Sequence, residues 1–196
     1  MVGGGKVAER KVKNLLAYGA QVVVISPEVT PLLEEWSRQG KIELLARGFQ
    51  EGDLEGAFLV VAATNAPEVQ KAVANEAERR GIPCNVVDQP ELSSFIVPSV
   101  IKRGRLQIAV STSGASPAVA RRLRETLEEL FGPEYERYLE LLARWRREIL
   151  ARPLSEAERR RIFEHLALAP LPQWIKRDEK EHIQALAKTY DLPLED

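Results

Sequence analysis

The first eight residues, Met-Val-Gly-Gly-Gly-Lys-Val-Ala, constrain the chain more than any other stretch. Gly3, Gly5 and Ala8 stand in G-x-G-x-x-A spacing. In such a turn one glycine permits the bend, the next lets backbone approach a pyrophosphate, and the third small residue lets a helix pack on a strand. The helix that follows would hold phosphates at its N-terminus, with the backbone N–H groups of Lys6 and Val7 close by. It ends at Gly19, and the strand 21–26 comes next, which completes the second half of a β-α-β unit. A turn of this kind follows a buried strand, yet only Met1 and Val2 precede it. The first strand of the sheet is therefore expected to be missing. A start assigned too far downstream is the favoured explanation over a cut chain or another segment in the slot. A real loss would leave ladder groups of the neighbouring strands unpaired, at about 1–3 kcal/mol for each buried group.

The rest of the first half repeats the alternation. Residues 22–25 are a continuous apolar run, as a strand buried on both faces requires. A helix over 30–39, strands over 42–45 and 57–63, a helix over 67–80 closed by Gly81, and a strand over 84–88 follow. This predicts an α/β, Rossmann-like, doubly wound parallel sheet over residues 1–97. The pattern then changes. Residues 94–98 and 106–111 read as two strands of an antiparallel hairpin around Gly104. Ser116-Pro117 opens an amphipathic helix that carries Val119, Ala120, Leu123, Leu127, Leu130 and Phe131 on one face. A hairpin and one helix cannot bury a core alone, so residues 98–131 are expected to be a dimerisation module, with a second copy of the chain as the simplest partner. Residues 132–196 predict an all-α domain with helices over 135–151, 155–168 and 178–189, the second begun by the capping box Ser155–Glu158.

Bulk composition narrows the partners. With 28 Lys and Arg against 29 Asp and Glu, the net charge of −1 gives no argument for nucleic acid or a membrane surface. No run of about 18 apolar residues exists, and no apolar segment follows a basic cap at the start, so neither a membrane span nor a signal peptide is expected. The lone cysteine, Cys84, cannot form a disulfide within one chain and suits a reducing compartment, so the expected location is cytoplasmic.

In an open parallel sheet ligands bind beyond the carboxyl ends of the strands. That rule gathers Gly3, Gly4, Gly5, Lys6, Val7, Ser26, Ala63, Thr64 and Asn65 as cofactor-binding candidates. Thr64 or Asn65 could also cap the following helix. Ser26 stands where an acid normally binds the ribose hydroxyls; it can hydrogen-bond a ribose but cannot repel a 2′-phosphate. Asp88 ends a buried strand at the same edge and is the candidate catalytic base, the competing reading being a cap on the turn before Pro90. Ser111, Thr112, Ser113, Gly114 and Ser116 form a small polar loop opening onto a helix, which favours anions. Arg121 lies nearby, as do Arg122 and Arg124, although arginines on an exposed helix face are commonly just solvated. His165 and His182 lack partners at ligand spacing, so no resident metal site is expected.

Six segments in this order resemble one family. They are Val2-Gly-Gly-Gly-Lys-Val-Ala-Glu-Arg-Lys11, Ala62-Ala-Thr-Asn65, Cys84-Asn-Val-Val-Asp88, Ser94-Phe-Ile-Val-Pro98, Ser111-Thr-Ser-Gly-Ala-Ser-Pro-Ala118 and Ala120-Arg-Arg-Leu-Arg124. Together they resemble the dehydrogenase part of the siroheme-synthase family. The resemblance implies NAD⁺-dependent oxidation of precorrin-2 to sirohydrochlorin, with NAD rather than NADP as cofactor. It implies Asp88 as the residue that serves dehydrogenation and, in those members that have it, insertion of Fe²⁺; whether this chain inserts Fe²⁺ or Co²⁺ stays open. It also implies a homodimer with interlocked central regions. Precorrin-2 is polyacidic, so the anion-favouring 111–116 loop suits its rim, with Arg121 as the nearby substrate candidate. The competing reading is a non-catalytic NAD-sensing regulatory module. That accounts for Gly3–Ala8 but not for Asp88, the hairpin or the 111–116 loop.

Overall fold

The computed structural model describes residues 1–194; the last two residues of the expected helical domain lie outside them. The chain divides into two compact units, residues 1–97 and 98 onward.

In the first unit α1 (Lys6–Ala17) leads to β1 (Val23–Ile25), α2 (Pro31–Arg38), β2 (Glu43–Leu45), β3 (Val60–Ala62), α3 (Pro67–Arg80) and β4 (Cys84–Val86). β1 pairs with β2 and β3 with β4, both in parallel. The two pairs meet through Val2, which bridges Ile25 on one side and Ala62 on the other, again in parallel. Val2 N–H donates to Val61 O at 2.9 Å, Ala63 N–H donates to Val2 O at 2.7 Å, and Ile25 N–H donates to Met1 O at 2.8 Å. The slot expected to lack a strand therefore holds a two-residue one, and the order is β2, β1, Met1–Val2, β3, β4. Upstream of that stub, Val23, Phe58, Leu59 and Val61 help line a cleft of about 530 Å³.

The elements form where local chemistry demands. α2 starts at Thr30, whose hydroxyl accepts from Leu33 N–H, with Pro31 in the first turn. α3 starts with Pro67 and stops at Gly81, which takes the left-handed conformation. Ala8 and Val12 on α1 are fully buried one turn apart. Val12, Val22, Val24, Leu33 and Ile42 make one apolar cluster, and Val2, Leu54, Val60, Ala62, Val73, Ala77, Cys84 and Val86 another.

The expected strand over 94–98 is a correction. Those residues run along the outer edge of β4 without forming a ladder. Serine hydroxyls take the ladder positions: Cys84 N–H donates to Ser94 Oγ at 2.8 Å and Val86 N–H donates to Ser93 Oγ at 2.9 Å. The first hairpin strand, β5, begins only after Pro98, at Ser99–Arg103. β5 pairs antiparallel with β6 (Leu106–Val110) across a two-residue turn at Gly104-Arg105.

In the second unit α4 (Pro117–Leu130) contacts both strands of this hairpin. α5 (Glu134–Ala151), α6 (Glu156–Leu168), α7 (Leu171–Lys176) and α8 (Lys180–Thr189) follow. Their core is Leu141, Trp145, Ile149, Leu166, Leu171 and Ala187, and Trp145 Nε1 donates to Pro193 O at 2.9 Å. α8 starts two residues later than the pattern suggests, because Asp178 has φ 55° and cannot be helical.

Candidate functional site: a glycine cradle and the end of β4

The loop between Val2 and α1 is packed from below and open above. A Cβ on Gly3 (φ +107°) would stand 2.3 Å from Ala63 O, and one on Gly4 would stand 2.2 Å from Glu28 O and 2.9 Å from Ser26 Oγ. Gly5 is the N-cap of α1, and a Cβ there would meet nothing within 4 Å. Above it lies a cavity of about 560 Å³ lined by Gly3, Gly4, Gly5, Lys6, Val7, Ser26, Ala63, Thr64 and Asn65, together with Pro27, Glu28, Val29 and Thr30. The structure thus brings all nine cofactor candidates to one cavity. The residues fit a dinucleotide: a glycine with open space above it sits at the start of a helix whose first-turn N–H groups lack intrahelical partners.

Each side chain is held by its neighbours. Ser26 is 7% exposed and donates from Oγ to Glu28 O at 2.6 Å, which ties the loop after β1 beneath Gly4. Its donor is thus committed, and toward a ribose it has only acceptor capacity. Thr30 N–H donates to Gly4 O at 3.0 Å, joining the start of α2 to the cradle. Hydrogen bonds from Thr30, then Lys6, hold the Glu9 carboxyl below the usual range. Lys6 Nζ lies 3.1 Å from Glu9, so its side chain is engaged locally and its backbone N–H is the group left for the cradle. Thr64 is held from below by buried Gln70, whose Nε2 donates to Thr64 O at 2.7 Å. Sequence reasoning missed Gln70; a buried amide inside a helix leaves no pattern.

Asp88 is exposed, two residues past β4, and has φ 61°. It does not line the cradle cavity. Aspartate is among the few non-glycine residues that take the left-handed conformation readily, and here it turns the chain out of the strand. Upstream on the same strand, Asn85 is 8% exposed. Its Nδ2 donates to Phe95 O at 3.1 Å, and its Oδ1 accepts from Lys11 Nζ at 3.3 Å. Burial, then the charge of Arg10, lowers the Lys11 pKa, and the charge of Asp88 opposes them. Lys11 was also missed. Its signal was available: it interrupts the apolar stripe of Ala8, Val12 and Leu15 on α1.

The substrate candidates lie in the second unit. Ser113 (φ 52°) and Gly114 (φ 83°) turn the loop. Ser116 N–H donates to Thr112 Oγ1, and Thr112 Oγ1 donates to Ser116 O, both at 3.1 Å, while Ser113 N–H donates to Ser111 Oγ at 3.1 Å. Ser116 Oγ caps α4 by accepting from Val119 N–H. Arg121 is exposed and 3.8 Å from Glu125; Arg124 pairs with Glu125 and Glu128. Among the described residues no three His, Cys, Asp or Glu side chains gather as metal ligands, and no helix is long and apolar enough to cross a membrane.

Comparison with known proteins agrees with this geometry. A family model described as "Putative NAD(P)-binding" matches residues 1–99, and one described as "Sirohaem biosynthesis protein central" matches residues 103–130. Siroheme synthase from Methylobacillus flagellatus is 46% identical over 163 residues, covering 83% of this chain and 35% of that protein. Siroheme synthase 1 from Aeromonas salmonicida is 42% identical over 190 residues, covering 96% of this chain and 41% of that protein. The chain thus spans less than half the length of these two relatives. Among solved structures, SirC, a precorrin-2 dehydrogenase, superposes with a TM-score of 0.81 at 28% identity, covering 95% of this chain and 92% of that one. A cofactor cradle over the first unit and a sirohaem-biosynthesis segment directly after it place this chain in the NAD(P)-binding family of sirohaem biosynthesis proteins, the siroheme-synthase family.

Proposed function

We propose that the chain oxidises precorrin-2 to sirohydrochlorin, with NAD⁺ as the electron acceptor. The observation that carries this reading is the match to a precorrin-2 dehydrogenase over nearly the whole of both chains. Gly3, Gly4, Gly5 and the backbone of Lys6 and Val7 would hold the cofactor's phosphates, and Ala63, Thr64 and Asn65 would border it. NAD⁺ when bound supplies the hydride acceptor. The macrocycle gives up a hydride and a proton in this oxidation, and the Asp88 carboxylate accepts the proton at its Oδ atoms. Its exposure at the end of β4 leaves it free to meet a substrate. The 111–116 loop, a helix N-terminus with small residues, receives carboxylates of the polyacidic substrate, aided by Arg121.

The active species is a homodimer. Val119, Leu123 and Leu130 on α4 are 49%, 47% and 64% exposed, and Val100 on the hairpin 40%. Four large apolar side chains left open on one small module suit a second copy of the same surface. Residues 98–131 would then be the dimerisation module and 132–196 a helical domain, in a cytoplasmic enzyme.

The test is turnover. Purified chain with NAD⁺ and precorrin-2 should yield NADH and sirohydrochlorin in equal amounts. A chain that binds NAD⁺ and leaves precorrin-2 untouched would be a cofactor sensor instead.

A further inference from the structure

We propose that Glu28 is the specificity-determining residue of the cofactor cavity: its carboxylate admits a cofactor with a free ribose diol and rejects one that carries a 2′-phosphate there. This rests on the reading of the glycine cradle as the cofactor site.

The loop after β1 is held against the cradle at both ends. Ser26 Oγ donates to Glu28 O at 2.6 Å, and Thr30 N–H donates to Gly4 O at 3.0 Å. Between these two ties the backbone of Glu28 packs so closely that a Cβ on Gly4 would stand 2.2 Å from Glu28 O. Glu28 thus has a fixed place on the cavity wall, while the residue itself is exposed. In a dinucleotide fold the end of this strand commonly carries the acid that takes the ribose hydroxyls. Here that position is Ser26, buried and with its proton turned to the backbone. The negative charge stands two residues further on, at Glu28.

Two cations that could balance a 2′-phosphate are engaged elsewhere. Lys6 is the one cation among the described residues of the cavity wall, and its Nζ lies 3.2 and 3.1 Å from the two carboxylate oxygens of Glu9. Arg47 stands two residues past Leu45, whose carbonyl accepts from Ser26 N–H at 3.2 Å. Its guanidinium donates twice to the Asp53 carboxylate, at 2.8 and 2.7 Å, and this paired contact fixes the fork. A 2′-phosphate brings about 1.5–2 negative charges at neutral pH. Beside Glu28 it would meet a like charge, with no uncommitted cation on the wall to answer it. A ribose diol instead offers two O–H donors to a carboxylate that only accepts.

Calorimetry of the purified chain with NAD⁺ and with NADP⁺ is the test. The natural chain should bind NAD⁺ at least about thirtyfold more tightly than NADP⁺, and the ratio should shrink as salt rises from about 0.05 M to about 0.5 M. Glu28→Gln should weaken NAD⁺ by about fivefold and tighten NADP⁺ by about tenfold. Its thermal midpoint should stay within about 2 °C of the natural value, because the altered side chain is at the surface. Glu28→Arg should bind NADP⁺ more tightly than NAD⁺. A natural chain that binds both cofactors alike overturns the proposal and leaves the cradle standing, as does a Glu28→Gln variant with the natural ratio. Affinities for the two cofactors that fall by the same factor in both variants would make Glu28 a structural residue and overturn it too. Binding of neither cofactor by the natural chain would sink the cradle reading, and the role of Glu28 with it.

Discussion

A side chain placed on Gly3 would stand 2.3 Å from the carbonyl oxygen of Ala63, whereas one placed on Gly5 would touch nothing. The two glycines of the cradle therefore do different work, and substitution separates them. Gly3→Ala forces backbone apart and strains a φ of +107°, so it should cost about 2 kcal/mol or more. Gly5→Ala has φ −79° and open space, so thermal stability should change by less than about 0.5 kcal/mol. NAD⁺ affinity measured by calorimetry should nonetheless fall about tenfold or more in Gly5→Ala, because a methyl group then occupies the phosphate approach.

Asp88 stands at φ 61°, a conformation that glycine also adopts freely. Asp88→Gly should leave stability within about 1 kcal/mol of the natural chain, because the freedom of glycine at this φ is offset by the larger entropy it loses on folding. Oxidation should be lost in the same variant. An activity loss without a matching stability loss, read by turnover and by denaturant unfolding, separates a functional carboxylate from a structural one.

Glu76 anchors the loop that follows β2. It is 1% exposed, accepts from Gly52 N–H at 3.1 Å and Leu54 N–H at 3.4 Å, and meets Arg80 Nε at 2.8 Å. Glu76→Ala leaves two backbone donors and a guanidinium group without their acceptor. Urea unfolding should report a loss of about 3 kcal/mol, with the cradle's NAD⁺ affinity little changed at temperatures where the variant is folded.

The cleft upstream of Met1 is lined mostly by apolar residues, with Gln21, Asp53 and Glu55 also at its wall, and Phe58 in its lining is 88% exposed. An extended Val-Ile-Val segment added before Met1 should enter between β1 and β3 and continue the Met1–Val2 stub. Burying those side chains should add about 2 kcal/mol or more and raise Tm by about 5 °C. An added Gly-Ser-Gly segment of equal length should leave Tm within about 1 °C. Equal effects of the two would mean the cleft does not accept a strand.

Much of the fold was legible because its signals are local. The glycine spacing, the Thr30-Pro31 and Ser116-Pro117 starts and the Gly81 stop each set a backbone conformation within a few residues. What escaped depends on distant partners. The apolar run 94–98 has strand composition, but Ser93 and Ser94 satisfy the edge of β4 through their hydroxyls and leave the following residues outside a ladder. The short helix α7 falls outside the three expected helices; Pro172 sits in its first turn, where its missing N–H costs nothing. Two residues ahead of the cradle looked too few for a strand, yet Val2 pairs on both sides because β1 and β3 already flank its slot. The same limit hid Lys11, whose partner Asn85 lies 74 residues away.

Under the proposed function the Asp88 carboxylate takes the proton released when precorrin-2 is oxidised. The direct measurement is single-turnover NADH formation by Asp88→Asn, an isosteric change that tolerates the same backbone, in protein shown by calorimetry to bind NAD⁺ normally. The expected rate is about 10²–10⁴-fold below that of the natural chain. NADH formation at the natural rate in this variant would contradict it.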